Sequence, residues 1–247
     1  PVLMDLSVDG QEIPAVVQAT KQGWLYTFNR LTGEPIWPIE ERDVPASIVP
    51  GEVLSPTQPH VTWPEPYSMQ GIGEEDLLDF TPELKAQSLA AIEDYVMGGL
   101  FNPPIHADNP MGKYAAMNCP GGAGGVNITP PPVADPVNNV FYLSEHTACF
   151  TLRLIPGEEA DLLFPNSTGT TTAQYANSVR GATARPPRHP SGLPIWKPPY
   201  STIVAYDMDT GEKRFTVPTG ETPQRYKDAF ERAGVPESVY GKTGTGA

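Results

Sequence analysis

Leu25-Tyr26-Thr27-Phe28-Asn29-Arg30-Leu31-Thr32-Gly33-Glu34 decides the fold, because the pattern returns as Ile203-Val204-Ala205-Tyr206-Asp207-Met208-Asp209-Thr210-Gly211-Glu212. The next aromatics, Trp37 and Phe215, each fall nine residues after Phe28 and Tyr206, so the match runs past the ten aligned positions. Side chains alternate across a strand, and an alternating apolar run therefore buries one face. The Thr-Gly pair that follows places the residue that tolerates positive φ where a hairpin must reverse.

Working outward, the first forty residues read as four short strands divided by turn signals. Val2 to Val8 ends at Asp9-Gly10, Ile13 to Thr20 at Lys21-Gln22-Gly23, Trp24 to Asn29 at Leu31-Thr32-Gly33, and Glu34 to Ile39 follows. A four-stranded antiparallel meander of about 40 residues is the blade of a β-propeller, a sheet that buries its faces only by stacking on neighbours. The second unit takes its first strands from around Gly125 to Thr129 and Asn139 to Ser144, and an insertion from about Ile155 to Pro199 splits it. The expected fold class is all-β, an incomplete β-propeller of about two four-stranded blades with long loops and two short helices. Its expected divisions are a blade over 1–41, a loop and helix excursion over 42–118, a split blade over 119–218, and a C-terminal helix and tail over 219–247.

The first helix opens at Thr81-Pro82, with Thr81 as N-cap and Glu83 in the first turn. Leu89, Ile92 and Val96 form its apolar stripe and Gly98-Gly99 its stop; the second helix starts at Thr222-Pro223, carries Tyr226, Phe230 and Ala233 on one side, and stops at Gly234. Two blades do not close a ring, which takes at least about four. The expectation is a segment of a larger protein, with the missing blades supplied by the parent chain or by another chain.

Composition narrows the function. Sixteen basic and 29 acidic residues give a net charge of −13, a field that repels phosphate backbones, so nucleic acid is not an expected partner. Thirty prolines and 23 glycines imply many turns and long ordered loops. No apolar run of about 18 residues is present, and Pro1 to Gly10 lacks the basic and apolar regions of a signal peptide. Cys119 and Cys149 are too few for a metal cage and leave open one disulfide or none.

Further motifs carry a family resemblance. Pro1-Val2-Leu3-Met4-Asp5, Thr20-Lys21-Gln22-Gly23 and Gly33-Glu34-Pro35-Ile36-Trp37-Pro38-Ile39-Glu40-Glu41 are followed in order by Ser55-Pro56-Thr57-Gln58-Pro59, Asp79-Phe80-Thr81-Pro82-Glu83-Leu84, Leu100-Phe101-Asn102-Pro103-Pro104 and Leu193-Pro194-Ile195-Trp196-Lys197-Pro198-Pro199-Tyr200. Collinear over nearly the whole chain, this set resembles the pyrroloquinoline quinone (PQQ)-dependent dehydrogenases of the membrane glucose dehydrogenase type. The resemblance implies an eight-bladed propeller that holds PQQ and a calcium ion on its axis. It further implies a periplasmic location, oxidation of a sugar, polyol or related hydroxy compound, and delivery of electrons to a membrane quinone.

Carried over residue by residue, the resemblance assigns two cofactor-binding positions. Lys21 matches the lysine of the family's Thr-Lys-Gln-Gly motif, which reaches the quinone oxygens of PQQ, where a cation stabilises charge developing on reduction. Asn127 matches the asparagine of a Gly-Gly-x-Asn-Trp segment that contacts the cofactor; Ile128 here replaces the tryptophan. The family's catalytic aspartate lies in a Trp-Asp-x-Asp segment upstream of the matched motifs, so no catalytic residue and no calcium ligand are assigned within these 247 residues. Adjacent cysteines, which mark the alcohol-oxidising branch, do not occur. The alternative reading, prompted by Ile128, is a non-catalytic propeller-like binding or scaffold module with a decayed cofactor site.

Other polar groups have plainer readings. Asp207-Met208-Asp209-Thr210-Gly211 lacks the remaining spacing of a calcium loop and reads as a hairpin. Glu74, Glu75, Asp76 and Asp79 read as a solvated face before a helix, His60, His106 and His189 as loop histidines, and His146 with Cys149 as a pair without a metal role.

Overall fold

The structure, a computed structural model, describes residues 1–121, 131–156 and 187–244 in full and 175–177 as backbone. The first sheet joins β1 (Val2–Val8), β2 (Gln11–Ala19) and β3 (Leu25–Asn29) in chain order, all antiparallel. Asp9 and Gly10 both take positive φ, the two-residue turn whose twist suits a hairpin. Alternation then buries Met4 and Leu6, Ala15, Val17 and Ala19, and Leu25 on one face.

The fourth strand expected over Glu34 to Ile39 shrinks to a single bridge between Phe28 and Pro35, made by bonds from Asn29 N to Glu34 O at 2.8 Å and from Ile36 N to Thr27 O at 2.9 Å. Pro35 and Pro38 have no N–H to give, so a ladder cannot extend through them. The chain instead leaves as β4 (Ile39–Asp43), which pairs with β5 (Thr57–Val61) as a separate ribbon.

Next come β6 (Gly71–Ile72) and α1 (Pro82–Ile92). Thr81 Oγ1 accepts from Leu84 N at 3.2 Å, the expected N-cap, and Leu84, Ser88 and Ile92 face inward. The helix stops at Ile92 and does not run on to Val96. Tyr95 and Val96 form β7 (Tyr95–Val96), parallel to β10 (Ala115–Asn118), and Gly98-Gly99 is not a helix stop but β8 (Gly98–Gly99), paired with β6. An aromatic and a β-branched residue with a ladder partner at hand favour strand over helix. A two-residue strand, β9 (Ile105–His106), lies between.

The second sheet has the order β11-β12-β15-β16, from β11 (Val133–Asp135), β12 (Val140–His146), β15 (Ser201–Asp207) and β16 (Lys213–Pro218). Val140↔Asp207 through His146↔Ser201 pair in unbroken register although some 60 residues separate them in sequence. The chain departs from this pairing just after His146, earlier than the Ile155 expected, and returns at Ser201. In the excursion β13 (Phe150–Pro156) pairs with β10, β9 and β14 (Tyr175–Asn177). The stretch 125–129, expected as the first strand of this unit, lies outside the described residues; the strand found beside β12 is β11.

The two recurring hairpins are congruent bond for bond. Asn29 N donates to Glu34 O at 2.8 Å and Gly33 N to Asn29 O at 2.8 Å; Asp207 N donates to Glu212 O at 2.9 Å and Gly211 N to Asp207 O at 2.7 Å. Thr32 Oγ1 and Thr210 Oγ1 each accept from the following glutamate N–H at 3.2 Å.

The sheets stack. Met4, Leu6, Val17 and Leu25 of the first share one core with Phe141, Leu143, Val204 and Tyr206 of the second. A second core holds Ile72, Ile92, Met117 and Ile195; a third joins α1 to α2 (Gln224–Arg232) and α3 (Glu237–Tyr240), where Phe230 stacks on Tyr240 at 4.0 Å. Pro223 takes the N-cap position of α2, one residue later than expected, and α3 is a turn of helix beyond the two read from sequence.

Candidate functional site

Lys21 lies in the four-residue turn Thr20-Lys21-Gln22-Gly23 between β2 and β3, and its side chain is exposed. Gly23 N donates to Thr20 O at 3.0 Å, and Gly23 has a φ of +82°, a conformation glycine adopts without strain. A strap formed by Tyr67 to Gln70 lies against this turn. Tyr67 N donates to Gly23 O at 2.8 Å, the Tyr67 hydroxyl donates to Thr20 O, and Gln70 Nε2 donates to Gln22 O at 2.6 Å. The carbonyls on both sides of Lys21 are thus held by one segment. A Cβ at Gly23 would stand 3.0 Å from Gln70 Nε2 and 3.1 Å from Ser68 Cβ, so the strap and the turn are in direct contact.

Behind the strap is a cleft of about 350 Å³ whose lining includes Tyr67, Ser68, Glu145, Thr147, Trp196 and Lys213. Glu145, 4% exposed, is the buried acid in this wall. Thr147 Oγ1 lies 2.7 Å from each of its carboxylate oxygens and Thr202 Oγ1 donates to Oε1 at 3.0 Å. Burial pushes the Glu145 carboxyl above its ordinary range, opposed by the hydroxyls of Thr147, Thr202 and Ser68. Burial likewise pushes the Tyr67 phenol up, and the nearby Glu145 charge adds to the effect. Sequence reading missed this group. Glu145 stands two residues after Leu143 and four after Phe141 on β12, so strand alternation alone assigns it to the buried face.

Cys119 and Cys149 form a disulfide, which resolves the open alternative. It ties the end of β10 to the start of β13, and Cys149 Sγ packs 3.8 Å from Met69 Sδ in the strap. Asn127 and Ile128 lie outside the described residues. The structure therefore places Lys21, the strap and the disulfide side by side.

The remaining expected features fall as follows. Asp209 stays in its hairpin, where its Oδ1 accepts from Ser7 N and Asn139 Nδ2. Asp79 pairs with Lys197 at 2.9 Å, and Asp76 Oδ2 accepts from Gly73 N at 2.7 Å, so the acidic run works locally. His189 does lie in a loop. It is buried, with Nδ1 2.7 Å from Ser191 Oγ and Nε2 3.2 Å from Leu84 O, and it fixes the loop before Leu193 against α1. His60 packs on Trp24 and Phe101.

An exposed cation on a turn held by the strap is able to meet an anionic group. Among the described residues no group of three or more His, Cys, Asp or Glu side chains could hold a metal ion. Nor, among them, is any helix long and apolar enough to cross a membrane.

Comparison with known proteins places the chain in a family. The family model described as "PQQ: Glucose/ethanol/alcohol dehydrogenase, beta-propeller domain" matches residues 1–246. The quinate/shikimate dehydrogenase (quinone) of Acinetobacter baylyi is 27% identical over 89% of this chain and 27% of its own length. The glycerol dehydrogenase large subunit of Gluconobacter thailandicus is 28% identical over 85% and 30%, and the quinoprotein glucose dehydrogenase of Escherichia coli 26% identical over 90% and 28%. The chain spans less than a third of the length of these relatives. With its repeated hairpins, split second sheet and Lys21 turn, it belongs to the PQQ glucose/ethanol/alcohol dehydrogenase β-propeller family.

Proposed function

We propose that this chain is the part of a periplasmic quinoprotein dehydrogenase that presents Lys21 to PQQ. The supporting observation is the turn itself: an exposed ammonium between carbonyls held by Tyr67 and Gln70. When bound, the quinone supplies a two-electron acceptor for the carbon bearing a hydroxyl. Lys21 would meet its oxygens with a fixed positive charge, worth more because the turn does not reorganise as negative charge develops. Asn127 would contact the same cofactor. In this reading calcium and the catalytic aspartate come from other parts of the full-length protein, as do the blades that complete the ring.

That relatives are named for quinate or shikimate, glycerol and glucose, all hydroxy compounds, supports a sugar, polyol or cyclic hydroxy acid as the substrate. The electron acceptor is a membrane quinone. To test this, the full-length protein is supplied with PQQ and calcium, then assayed with glycerol, glucose and quinate against a soluble quinone. PQQ-dependent reduction of the quinone by at least one of the three is expected. PQQ binding with no turnover of any hydroxy compound would support instead a non-catalytic binding module.

A further inference from the structure

Glu145 is a buried acid whose partners are hydroxyls, while the two lysines lining its cleft are engaged elsewhere. Lys197 Nζ holds Asp79 and Glu75 O, and Lys213 Nζ donates to Pro66 O at 2.8 Å. Removing a carboxylate from water is costly unless its oxygens are matched, so an acid kept here has a task in ordering its surroundings.

The hydrogens define that task. A carboxylate only accepts, so the single Thr147 hydroxyl proton points to Glu145. Ser68 Oγ stands 3.3 Å from Thr147 Oγ1, and the Ser68 hydroxyl also reaches the Glu145 carboxylate itself. Ser68 sits in the strap, between Tyr67 and Gln70, whose bonds hold the carbonyls of Thr20, Gln22 and Gly23. Polar contacts therefore run from Glu145 on β12 to Ser68, directly and by way of Thr147, and from the strap to the turn that carries Lys21.

We propose that Glu145 is the positioning residue for the Lys21 turn, acting through Thr147, Ser68 and the strap. Its consequence for PQQ rests on the function proposed above; the mechanical link stands on the bonds alone. Glu145 needs no contact with the cofactor. By orienting Thr147 it holds the strap against the turn, and the strap fixes where the ammonium is presented.

Hydrogen exchange in the full-length protein tests the link. The reporters are the amides of Gly23 and Tyr67, which close the turn and the strap contact, with Asn29 and Gly33 of the adjacent hairpin as reference. Glu145→Gln and Thr147→Val are each expected to speed exchange at Gly23 and Tyr67 about tenfold, the effect of losing one buried polar link, with the reference amides unchanged. Thr147→Ser keeps the hydroxyl and is expected to restore wild-type exchange. Thr202→Val, which removes a donor to the same carboxylate from β15, is expected to change the reporters less than about twofold.

Unchanged exchange at Gly23 and Tyr67 in both Glu145→Gln and Thr147→Val overturns the proposal. So does equal acceleration at Asn29 and Gly33, which marks general loosening of the sheets. If Glu145→Gln does not fold, the two Thr147 variants decide alone. PQQ binding by the wild type is measured alongside; its absence would sink the cofactor reading and leave the exchange result to stand or fall by itself.

Discussion

The main-chain N–H of Ser7 donates to Asp209 Oδ1 at 2.7 Å, so the tip of the second hairpin is bonded to an edge strand of the first sheet. Asn139 Nδ2 donates to the same oxygen at 2.8 Å. One turn residue thus fastens two stacked sheets and the loop before β12. Asp209→Ala strands both donors and is expected to cost about 1–3 kcal/mol, read as a lowered urea midpoint of the full-length protein. Asp209→Asn keeps an acceptor oxygen and is expected to lose less. An alanine variant with the wild-type midpoint would contradict this role.

The congruent hairpins differ in what surrounds their glycines. Gly33 has a φ of +79° and nothing within 4 Å of a Cβ, whereas Gly211 has a φ of +75° and a Cβ there would fall 2.1 Å from Trp63 Nε1. Trp63 is held in place by its bond to Thr210 O at 2.8 Å, so it has little room to give. Gly33→Ala therefore meets only the left-handed backbone, about 1–2 kcal/mol. Gly211→Ala adds a steric clash and should lower the thermal midpoint further. Equal midpoints for the two variants would mean that the Trp63 contact does not constrain the turn.

Stability should also carry the signature of Glu145. Burial raises the folded-state pKa of its carboxyl above the ordinary value of 4.5, against the pull of its hydroxyl partners. In the window just above that value the folded chain holds a proton that the unfolded chain has released, so this group's contribution falls as pH rises through it. Glu145→Gln removes the titration. The variant's stability relative to wild type is therefore expected to rise between pH 4 and pH 7, measured by urea unfolding at several pH values. A difference that stays constant with pH would contradict the assignment.

How much was legible in the sequence depended on whether a feature was local. The repeated Thr-Gly hairpins are local, and the bonds of Asn29 and Asp207 follow from alternation plus one glycine. The N-cap at Thr81 was equally plain. The end of α1 was not, because Tyr95 and Val96 are drawn into pairing with Ala115 and Ala116, a partner chosen by tertiary structure. The missing fourth strand was half legible: Pro35 and Pro38 break a ladder, but aromatic spacing through Trp37 argued the other way. At the site, Lys21 stood out only through its family motif, since a lysine in a turn is ordinary by chemistry. Glu145 stood out less, although its register with Phe141 and Leu143 places it inward; what it touches depends on a strap about 80 residues upstream.

The most direct measurement of the central claim is a PQQ titration of the full-length protein in calcium-containing buffer, comparing wild type with Lys21→Ala. Saturable binding by the wild type is expected, weakened about tenfold or more by the loss of one charge-assisted contact in Lys21→Ala. A wild-type protein that shows no saturable PQQ binding, or a Lys21→Ala variant that binds as tightly as wild type, would contradict the account.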